Sequence, residues 1–303
     1  MIGGVVEVAE NGRHVSVYRG FMKVEQAGQE LGRVALDDIK ALVLSAQQIT
    51  LSRQLLAELA DRKAVVVTTG RNWHPVALTL PYGAHYGAGG IIHDQIAASK
   101  PLKKRLWQQL VREKIANQAT VLGWHAPAHP KGAELAVLLR QVRSGDPDNR
   151  EAQAARHYWP ALMGDDFRRD RDADDGNKFL NYGYTVLRAA TARAVCAAGL
   201  HPALGLHHFN RLNAFSLVDD LMEPFRPLVD NLVRNLVNGG ETSLNPDNKR
   251  YLVAVLRQDL ISGKGASPLV NCLIRLAQSL TACLSNDAPR LELPELRQPG
   301  QLL

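Results

Sequence analysis

Residues 81–90, Pro-Tyr-Gly-Ala-His-Tyr-Gly-Ala-Gly-Gly, separate two parts of the chain that differ in hydrophobic periodicity. The segment contains four glycines and one proline, residues that interrupt regular helices and strands and are typical of a linker. Apolar residues recur with strand-like spacing before the segment and with helix-like spacing after it. We therefore predict an α+β protein with a β-rich domain at 1–80, a linker at 81–90 and a larger helical domain at 91–303.

The first part contains short runs that are rich in β-branched residues. They predict strands at 5–9, 14–18, 21–24, 33–36, 41–44, 64–69 and 75–80, and a single helix at 51–61. Asn11-Gly12 lies between the first two runs, and this dipeptide favours the tight turn of a hairpin. Because the strands are short and closely spaced, we predict a small, mostly antiparallel β domain.

The second part carries several helix-boundary signals. Three helix starts are predicted by a capping residue followed by proline, which fits the first helical position: Asp146-Pro147, Asn245-Pro246 and Ser267-Pro268. A long helix from about Asn177 is predicted to end at Gly199, a typical C-terminal stop. The segment after Asn286 contains three prolines and is predicted to be a loose tail. The domain as a whole is predicted to be all-helical.

Composition limits the classes of function. The 303 residues are 46% hydrophobic, which is enough for a sizeable core, and the formal net charge of +6 favours a polyanionic partner. No stretch approaches the ~18 consecutive apolar residues of a membrane span, and the N-terminus lacks the basic region of a signal peptide. The three cysteines do not form a C-x-x-C pair. We therefore expect a cytoplasmic protein with no membrane partner.

The loop at 164–176 has the alternating aspartates of a calcium-binding loop, at Asp170, Asp172 and Asp174. Its sixth position is Asp175, where such loops need glycine, and its twelfth is Asn181 in place of glutamate. We therefore interpret the segment as a solvated loop.

Glu151 is the first candidate for a chemical role. On a helix that starts at Pro147, it shares one side with Ala154, Ala155 and Tyr158. Small alanines beside a carboxylate allow another element or a phosphate backbone to approach closely. The competing interpretation is a surface glutamate in the first helical turn, where negative charge is favoured. On these residues alone, the competing interpretation is the better one.

His207 and His208 follow Gly205 at a break between predicted helices. A histidine pair at such a break can bind a metal ion. A histidine that packs in the core with its hydrogen bonds satisfied is the more common case. The pair alone does not decide between these interpretations.

Asp219, Asp220 and Glu223 share one face of a predicted helix. Clustered carboxylates repel one another unless a cation or an arginine offsets their charge. Pro224 is predicted to turn Glu223 away from helical geometry, so that its carboxylate points out of the bundle. A metal ligand and a helix end that forms a salt bridge, for example with Arg226, are equally compatible with this pattern.

Four segments, taken together, resemble the CRISPR-associated integrase family, the catalytic subunit that captures new spacers. They are 151–158 (EAQAARHY), 181–188 (NYGYTVLR), 205–208 (GLHH) and 220–227 (DLMEPFRP). The resemblance covers essentially the whole chain, because a β-rich domain before a helical catalytic domain is also similar to this family. The most similar sub-family is the one that accompanies single-protein effector nucleases. The resemblance implies a metal-dependent DNA endonuclease and integrase of CRISPR adaptation.

The family's metal ligands and catalytic residues correspond to Glu151, His208 and Glu223 of this sequence. The resemblance implies Mg²⁺ or Mn²⁺, and these residue types suit both ions, since Mg²⁺ prefers carboxylate oxygens and Mn²⁺ also accepts an imidazole nitrogen. Such an ion polarises the target phosphate. A DNA 3′-hydroxyl group is the expected nucleophile in integration, and water in cleavage.

The sequence departs from the family at the histidine pair. Relatives have the pair one place later and directly before an asparagine, whereas Phe209 follows the pair here. His208 keeps both family spacings, because it lies three residues after Gly205 and 15 residues before Glu223. His207 is the alternative ligand.

The implied partners are DNA, as double-stranded fragments and as the CRISPR array, a second copy of the chain in a homodimer, and a small partner subunit of the adaptation complex. Six basic residues are candidates for binding phosphate or for a solvated helix face: Lys100, Lys103, Lys104, Arg105, Arg112 and Lys114. The main alternative function is a non-catalytic DNA-binding subunit of the same complex. A third is a structural protein that a metal stabilises.

Overall fold

The computed structural model describes residues 4–70, 75–81, 83, 85–208, 210, 212–262 and 265–296. A strand-rich region at 5–79 precedes a helical region, so the predicted α+β class is confirmed. The strands of the first region are β1 (Val5–Val8), β2 (Arg13–Tyr18), β3 (Phe21–Gln26), β4 (Gln29–Ala35), β5 (Ala41–Leu44), β6 (Ile49–Leu51), β7 (Val65–Thr69) and β8 (Pro75–Thr79). One helix, α1 (Arg53–Asp61), lies between β6 and β7.

The strands form two sheets, with the spatial orders β1-β5-β7-β8 and β4-β3-β2-β6. The pairs β1–β5, β5–β7 and β2–β6 are parallel, whereas β2–β3, β3–β4 and β7–β8 are antiparallel. The prediction of a mostly antiparallel domain is therefore confirmed only in part, because the two sheets are mixed and contain three strand pairs of each kind. The chain alternates between the two sheets, so that neighbours within a sheet are often not neighbours in sequence.

The predicted hairpin at Asn11-Gly12 is wrong, because β1 and β2 belong to different sheets. The turn instead contacts Gln48, whose backbone N–H donates to Asn11 Oδ1 at 3.0 Å. The hairpin turns of the second sheet are at 19–20 and 27–28, where an arginine and an alanine precede glycine. All four residues have positive φ angles, which the favoured two-residue hairpin turns require.

Both faces of the first sheet are buried. Successive side chains of a strand point to opposite faces. Val43, Val65 and Val67 accordingly pack with the helical core, whereas Leu42 and Val66 pack with α1 and the second sheet. The first sheet is thus a middle layer between the second sheet and the helices.

A buried polar contact also joins the first sheet to the helices. Glu7 of β1 lies 2.9 Å from the ammonium group of Lys249, and it accepts a hydrogen bond of 2.8 Å from the hydroxyl group of Tyr182. Because both partners belong to the helical region, this carboxylate helps to fix the position of the sheet.

The helical region contains nine α-helices among the described residues. They are α2 (Ala88–Ala97), α3 (Lys100–His125), α4 (Pro130–Gln141), α5 (Arg150–Met163), α6 (Gly176–Ala197), α7 (Ser216–Met222), α8 (Arg226–Asn238), α9 (Pro246–Val253) and α10 (Leu269–Asn286). A 3₁₀ turn, Glu223–Phe225, connects α7 to α8. None of the helices in the described part of the chain has the length and hydropathy needed to cross a membrane.

The prediction of an all-helical second domain is wrong, because β9 (Asp259–Ser262) and β10 (Gly265–Pro268) form an antiparallel pair. The helix start predicted at Ser267-Pro268 is displaced by one position, because both residues belong to β10, Pro268 is the N-cap of α10 and the helix begins at Leu269. The Asn245-Pro246 prediction is confirmed, since the Asn245 side chain caps α9.

Two other helix boundaries test the sequence signals. Asp146-Pro147 precedes α5 by a further turn, because the helix begins at Arg150 and Asn149 is its N-cap. The predicted long helix is confirmed as α6, which ends at Ala197 shortly before Gly199, whose φ angle is +79°.

The linker and the tail are both more ordered than predicted. Helix α2 begins at Ala88, so the last three residues of the predicted linker are helical. After α10, Gln109 donates to the backbone carbonyl of Pro289 at 2.9 Å and accepts from the N–H of Leu291 at 3.0 Å. The loose-tail prediction is therefore wrong for residues 287–296, and residues 297–303 lie outside the described part.

Helix α6 is the centre of the helical region, and its close contact with α8 requires a glycine. A Cβ atom added to Gly183 would lie 2.4 Å from Cγ1 of Val229 on α8. This distance is too short for any carbon–carbon contact, so a side chain at position 183 would force the two helices apart.

We predict that Gly183→Ala lowers the free energy of unfolding by about 1–3 kcal/mol, the usual cost of adding a methyl group to a filled core. Urea denaturation measures this change. Gly123→Ala is the matched control, because a Cβ atom there meets nothing within 4 Å, and alanine is favoured over glycine within a helix by about 1 kcal/mol. Equal effects of the two substitutions would contradict the close-contact explanation.

Candidate active site

The two glutamates that the sequence singled out are brought together by one lysine. Lys114, in the middle of α3, places its Nζ atom 2.6 Å from Glu151 Oε1 and 2.5 Å from Glu223 Oε2. The three residues come from α3, the start of α5 and the 3₁₀ turn after α7. A buried positive charge therefore lies between two carboxylates from separate elements.

The loop before α5 fixes the position of Glu151. The carboxylate of Asp146 accepts hydrogen bonds from the backbone N–H groups of Arg150 and Glu151, at 2.8 and 3.0 Å. The Asn149 side chain accepts from the N–H of Ala152. These bonds satisfy N–H groups of the first turn, which have no partner within the helix. Glu151 is thereby held where α5 faces Lys114.

Glu223 is buried, with 5% of its surface exposed, and it has two cationic partners. Arg226 Nε lies 2.8 Å from Oε1, on the opposite side from Lys114. Burial raises the pKa of Glu223, but the positive charges of Arg226 and Lys114 outweigh it, and the pKa is held below its ordinary value. The carboxylate is thus kept ionised inside the protein.

The backbone at Glu223 differs from the prediction. Its φ and ψ angles of −53° and −45° are helical, so Pro224 does not turn the residue away from helical geometry. Pro224 is instead an early residue of the 3₁₀ turn, where a missing N–H costs little. The salt bridge to Arg226 that the sequence left open is present.

The buried carboxylate of Asp220 organises the loop that carries His208. It accepts hydrogen bonds from the backbone N–H groups of Leu206 and His207, at 2.6 and 3.0 Å. It also lies 2.5 Å from Nδ1 of His208. A Cβ atom at Gly205 would approach within 3.0 Å of the same carboxylate. The loop conformation therefore requires both an acid at 220 and a glycine at 205.

His208 is oriented by this contact. With Nδ1–H donated to Asp220, the other ring nitrogen, Nε2, is the one that can accept a proton or bind a metal. The hydrogen bond to Asp220 is the main cause that raises the pKa of His208. The imidazole lines a cleft that also includes Glu223.

His207 points in a different direction. Its ring stacks on the buried ring of Trp107, with 4.4 Å between centroids and 3° between planes. Burial, followed by the nearby His208, lowers its pKa. The planes of the two histidine rings are 85° apart. One of the adjacent histidines thus stacks on Trp107 and the other lines the cleft.

The cleft beside Glu223 and His208 has a volume of about 510 Å³ and is strongly basic. Four arginines line it: Arg169, Arg171, Arg188 and Arg226. Arg188 forms a salt bridge with Asp219, at 2.7 Å. Two of these arginines come from the loop at 164–176, in which Asp170, Asp172 and Asp174 are exposed, as expected for a solvated loop.

Within the described residues, no three histidine, cysteine or acidic side chains are arranged closely enough to hold a metal ion. Glu223 and His208 nevertheless line the same cleft, and the charges of Glu151 and Glu223 both raise the pKa of His208. The oxygens of Glu151 and Glu223 already share one cation, the Lys114 ammonium group. Two carboxylates around a cation, with Nε2 of an oriented histidine nearby, are donors of the type that Mg²⁺ or Mn²⁺ accepts.

The basic residues predicted for phosphate binding do not form one group. Lys114 is removed from the exposed face, because it lies between the two glutamates. Lys103 is partly buried, and burial lowers its pKa. The others are exposed: Lys100, Lys104, Arg105 and Arg112. Their binding of phosphate stays a prediction.

A buried acidic residue close to the cleft was not predicted from the sequence. Asp230 of α8 accepts hydrogen bonds from the hydroxyl groups of Tyr158, at 3.1 Å, and Tyr184. The guanidinium group of Arg226 lies over the Tyr184 ring, 4.7 Å from its centroid. The sequence contains a signal for this buried position, because Asp230 lies three residues before Val233 and therefore on the apolar face of α8.

Comparisons with known proteins agree with this architecture. A family model described as CRISPR associated protein Cas1 matches residues 6–259. A CRISPR-associated endonuclease Cas1 from Neisseria meningitidis serogroup C (strain 8013) is 37% identical over 295 residues, which cover 95% of this chain and 94% of the relative.

Two solved structures share the fold. A casposase bound to integration product has a TM-score of 0.79 and 19% identity, and the match covers 95% of this chain and 92% of that chain. A chain of a Cas6-RT-Cas1–Cas2 complex also has a TM-score of 0.79 and 19% identity. The second match covers 97% of this chain and 36% of that chain.

Burial raises the pKa of Asp230 to about 7, and this shift predicts how stability depends on pH. The folded protein therefore keeps a proton on Asp230 that the unfolded chain releases near pH 4. The resulting contribution of Asp230 to the free energy of unfolding is present at low pH and is lost as the pH rises to about 7. Between pH 5 and 7 this loss amounts to roughly 2–3 kcal/mol. Asp230→Asn should remove it.

Denaturant unfolding of wild type and Asp230→Asn at pH 5, 6, 7 and 8 measures this effect. The free energy of unfolding of the variant should increase relative to that of wild type as the pH rises to about 7. Above that pH the difference between the two proteins should be constant. Asp166→Asn, in an exposed loop, is the control. A difference between Asp230→Asn and wild type that does not change with pH would show that Asp230 is ionised throughout.

Proposed function

Because the chain belongs to the family of CRISPR-associated protein Cas1, we propose that it is a metal-dependent DNA endonuclease and integrase of CRISPR adaptation. It inserts captured DNA fragments into the CRISPR array by transesterification at a phosphodiester bond. The observation that carries this proposal is the convergence of Glu151, Glu223 and His208 beside a cleft lined with arginines. Phosphodiester chemistry requires carboxylates that bind a cation and positively charged side chains that bind phosphate.

Glu151, Glu223 and Nε2 of His208 hold the metal ion in this proposal, and they are the catalytic residues. Mg²⁺ or Mn²⁺ fits this set of donors. When bound, the ion polarises the phosphate and stabilises charge on the attacking and leaving oxygens. The identity of the metal is inferred from the donor types and from the family resemblance.

Other residues of the chain prepare this site. Asp220 fixes the tautomer and orientation of His208 through Nδ1, as outer partners of metal-binding histidines commonly do. Arg226 holds Glu223 in its ionised form. The arginines of the cleft provide positive charge for the DNA backbone. The nucleophile is a DNA 3′-hydroxyl group in integration and water in cleavage.

The proposed partners are DNA fragments, the CRISPR array, a second copy of the chain and a small partner subunit. Two structures with this fold support DNA and the subunit as partners. One is a casposase bound to integration product, and the other is a chain of a Cas6-RT-Cas1–Cas2 complex. The outer strands of the two sheets are β1, β8, β4 and β6, and such edge strands are surfaces on which a second copy of the chain pairs. We also propose that the protein is cytoplasmic and that it belongs to the sub-family that accompanies single-protein effector nucleases.

Replacing Glu151 tests catalysis with little effect on the fold, because Glu151 is less buried than Glu223. Glu151→Gln should lower manganese-dependent strand transfer on branched DNA by about 100-fold or more, since one of few charged ligands is lost. Glu223→Gln should lose the same activity and also unfold more readily, because Lys114 and Arg226 lose a buried partner.

Glu134→Gln, at a partly exposed glutamate of α4 that does not line the cleft, is the control and should act as wild type does. Wild-type strand transfer by Glu151→Gln at matched manganese would refute the metal assignment. Strand transfer by the wild-type protein without any divalent metal would refute metal dependence itself.

The two histidines give a separate test. His208→Ala should lose most strand-transfer activity, whereas His207→Ala should keep much of it and melt at a lower temperature, because its ring stacks on Trp107. A ligating imidazole must be neutral. Since Asp220 raises the pKa of His208, wild-type activity should fall with decreasing pH at a higher pH than an ordinary histidine would produce.

Manganese titrations of both variants, together with melting curves, distinguish these outcomes. An inactive His207→Ala beside a nearly normal His208→Ala would show that the metal ligand is the other histidine.

A further inference from the structure

Arg169 differs in its partners from Arg188 and Arg226, two arginines of the cleft that form salt bridges. Arg188 pairs with Asp219, and Arg226 pairs with Glu223. Arg169 forms no salt bridge with any described residue, although it is largely removed from solvent. Its charge therefore remains available to an anion that enters the cleft.

Two buried asparagines hold the guanidinium group of Arg169 in place. Nη1 donates to Asn177 Oδ1 and Nη2 donates to Asn181 Oδ1, both at 2.7 Å. Asn177 and Asn181 are 0% and 2% exposed. Amide oxygens orient a guanidinium group without neutralising it, whereas a carboxylate would cancel its charge. The arrangement thus preserves a fixed positive charge.

The same asparagines anchor the backbone on both sides of Arg169. Asn177 Nδ2 donates to the carbonyl of Arg168 at 2.9 Å, and Asn181 Nδ2 donates to that of Arg171 at 2.8 Å. The loop is therefore attached to α6 where Arg169 enters the cleft. Such attachment reduces the entropy that the side chain loses when it binds a ligand.

The remaining donors of Arg169 suit a phosphate group. Nη1 uses both of its N–H bonds, since it also donates to the carbonyl of Asp170. Nε–H and one N–H of Nη2 are left, and guanidinium donors can bind two oxygens of one phosphate. Burial is the main cause that lowers the pKa of Arg169, and Arg226 and Arg171 lower it further. An anion in the cleft would relieve this repulsion.

We propose that Arg169 binds a backbone phosphate of the DNA strand, next to the phosphodiester group that reacts. The inference rests on the proposed function, because the same cleft also carries Glu223 and His208. A strand held at Arg169 passes in front of those residues. Arg169 is a substrate-positioning residue that reads the backbone and not the bases.

Arg169→Gln tests this role, with Arg168→Gln as the matched control. Arg168 belongs to the same loop and carries the same charge, but its side chain is exposed and bonds only to backbone carbonyls of the loop. Binding is measured by fluorescence anisotropy of labelled branched DNA without divalent metal. Arg169→Gln should raise Kd about tenfold or more, as expected for a lost hydrogen bond to a charged group, whereas Arg168→Gln should bind as wild type does.

The salt dependence of Kd identifies the cause of the loss. Loss of one phosphate contact should reduce the slope of log Kd against log salt by about 0.7–0.9, which a general loosening of the loop would not do. Arg169→Lys should keep the wild-type slope without regaining full affinity, because an ammonium group retains the charge but not the paired donors. Equal loss in Arg169→Gln and Arg168→Gln, or an unchanged slope in Arg169→Gln, would overturn the inference.

Glu151→Gln separates this inference from the proposed function. It should bind DNA normally and fail in strand transfer. If the wild-type protein neither binds branched DNA nor transfers strands, the proposed function fails. If the wild-type protein does both and Arg169→Gln binds equally well, only the role of Arg169 fails.

Discussion

A buried charge without a partner is costly, and the Lys114 ammonium group is paired with carboxylates from two different elements. The contact to Glu151 joins α3 to α5, and the contact to Glu223 joins α3 to the segment between α7 and α8. Burial lowers the pKa of Lys114, but the two carboxylates more than compensate and raise it. The charge is therefore permanent, and the geometry of the candidate site depends on it.

A second group of buried residues supports this site from behind. Asp230 accepts from the hydroxyl groups of two tyrosines, one of which, Tyr184, lies under the guanidinium group of Arg226. Arg226 in turn holds Glu223. A substitution at Asp230 is thus expected to reach the glutamate through Tyr184 and Arg226, although Asp230 does not line the cleft itself. Networks of this kind give an active site its rigidity.

The sequence predicted local structure well where one element decides it. The amphipathic pattern and the glycine stop defined α6, and Asn245-Pro246 defined the start of α9, because both depend on neighbouring residues. The sequence failed where distant strands compete. Asn11-Gly12 has the composition of a hairpin turn, but β1 pairs with β5 in one sheet and β2 with β3 in the other. Burial of both faces of the first sheet, and not the turn, selects this pairing.

By itself, the sequence determined the family and the order of a β-rich and a helical region, and it predicted the candidate residues Glu151, His208 and Glu223, because motifs and periodicity depend on neighbouring residues alone. Only the tertiary structure decided that Lys114 joins the two glutamates, that Asp220 orients His208 and not His207, and that Arg169 enters the cleft without an acidic partner. Lys114 and Arg169 look in the sequence like any surface cation. Their charge acquires its role from burial and from partners on other helices, and both are properties of packing in three dimensions.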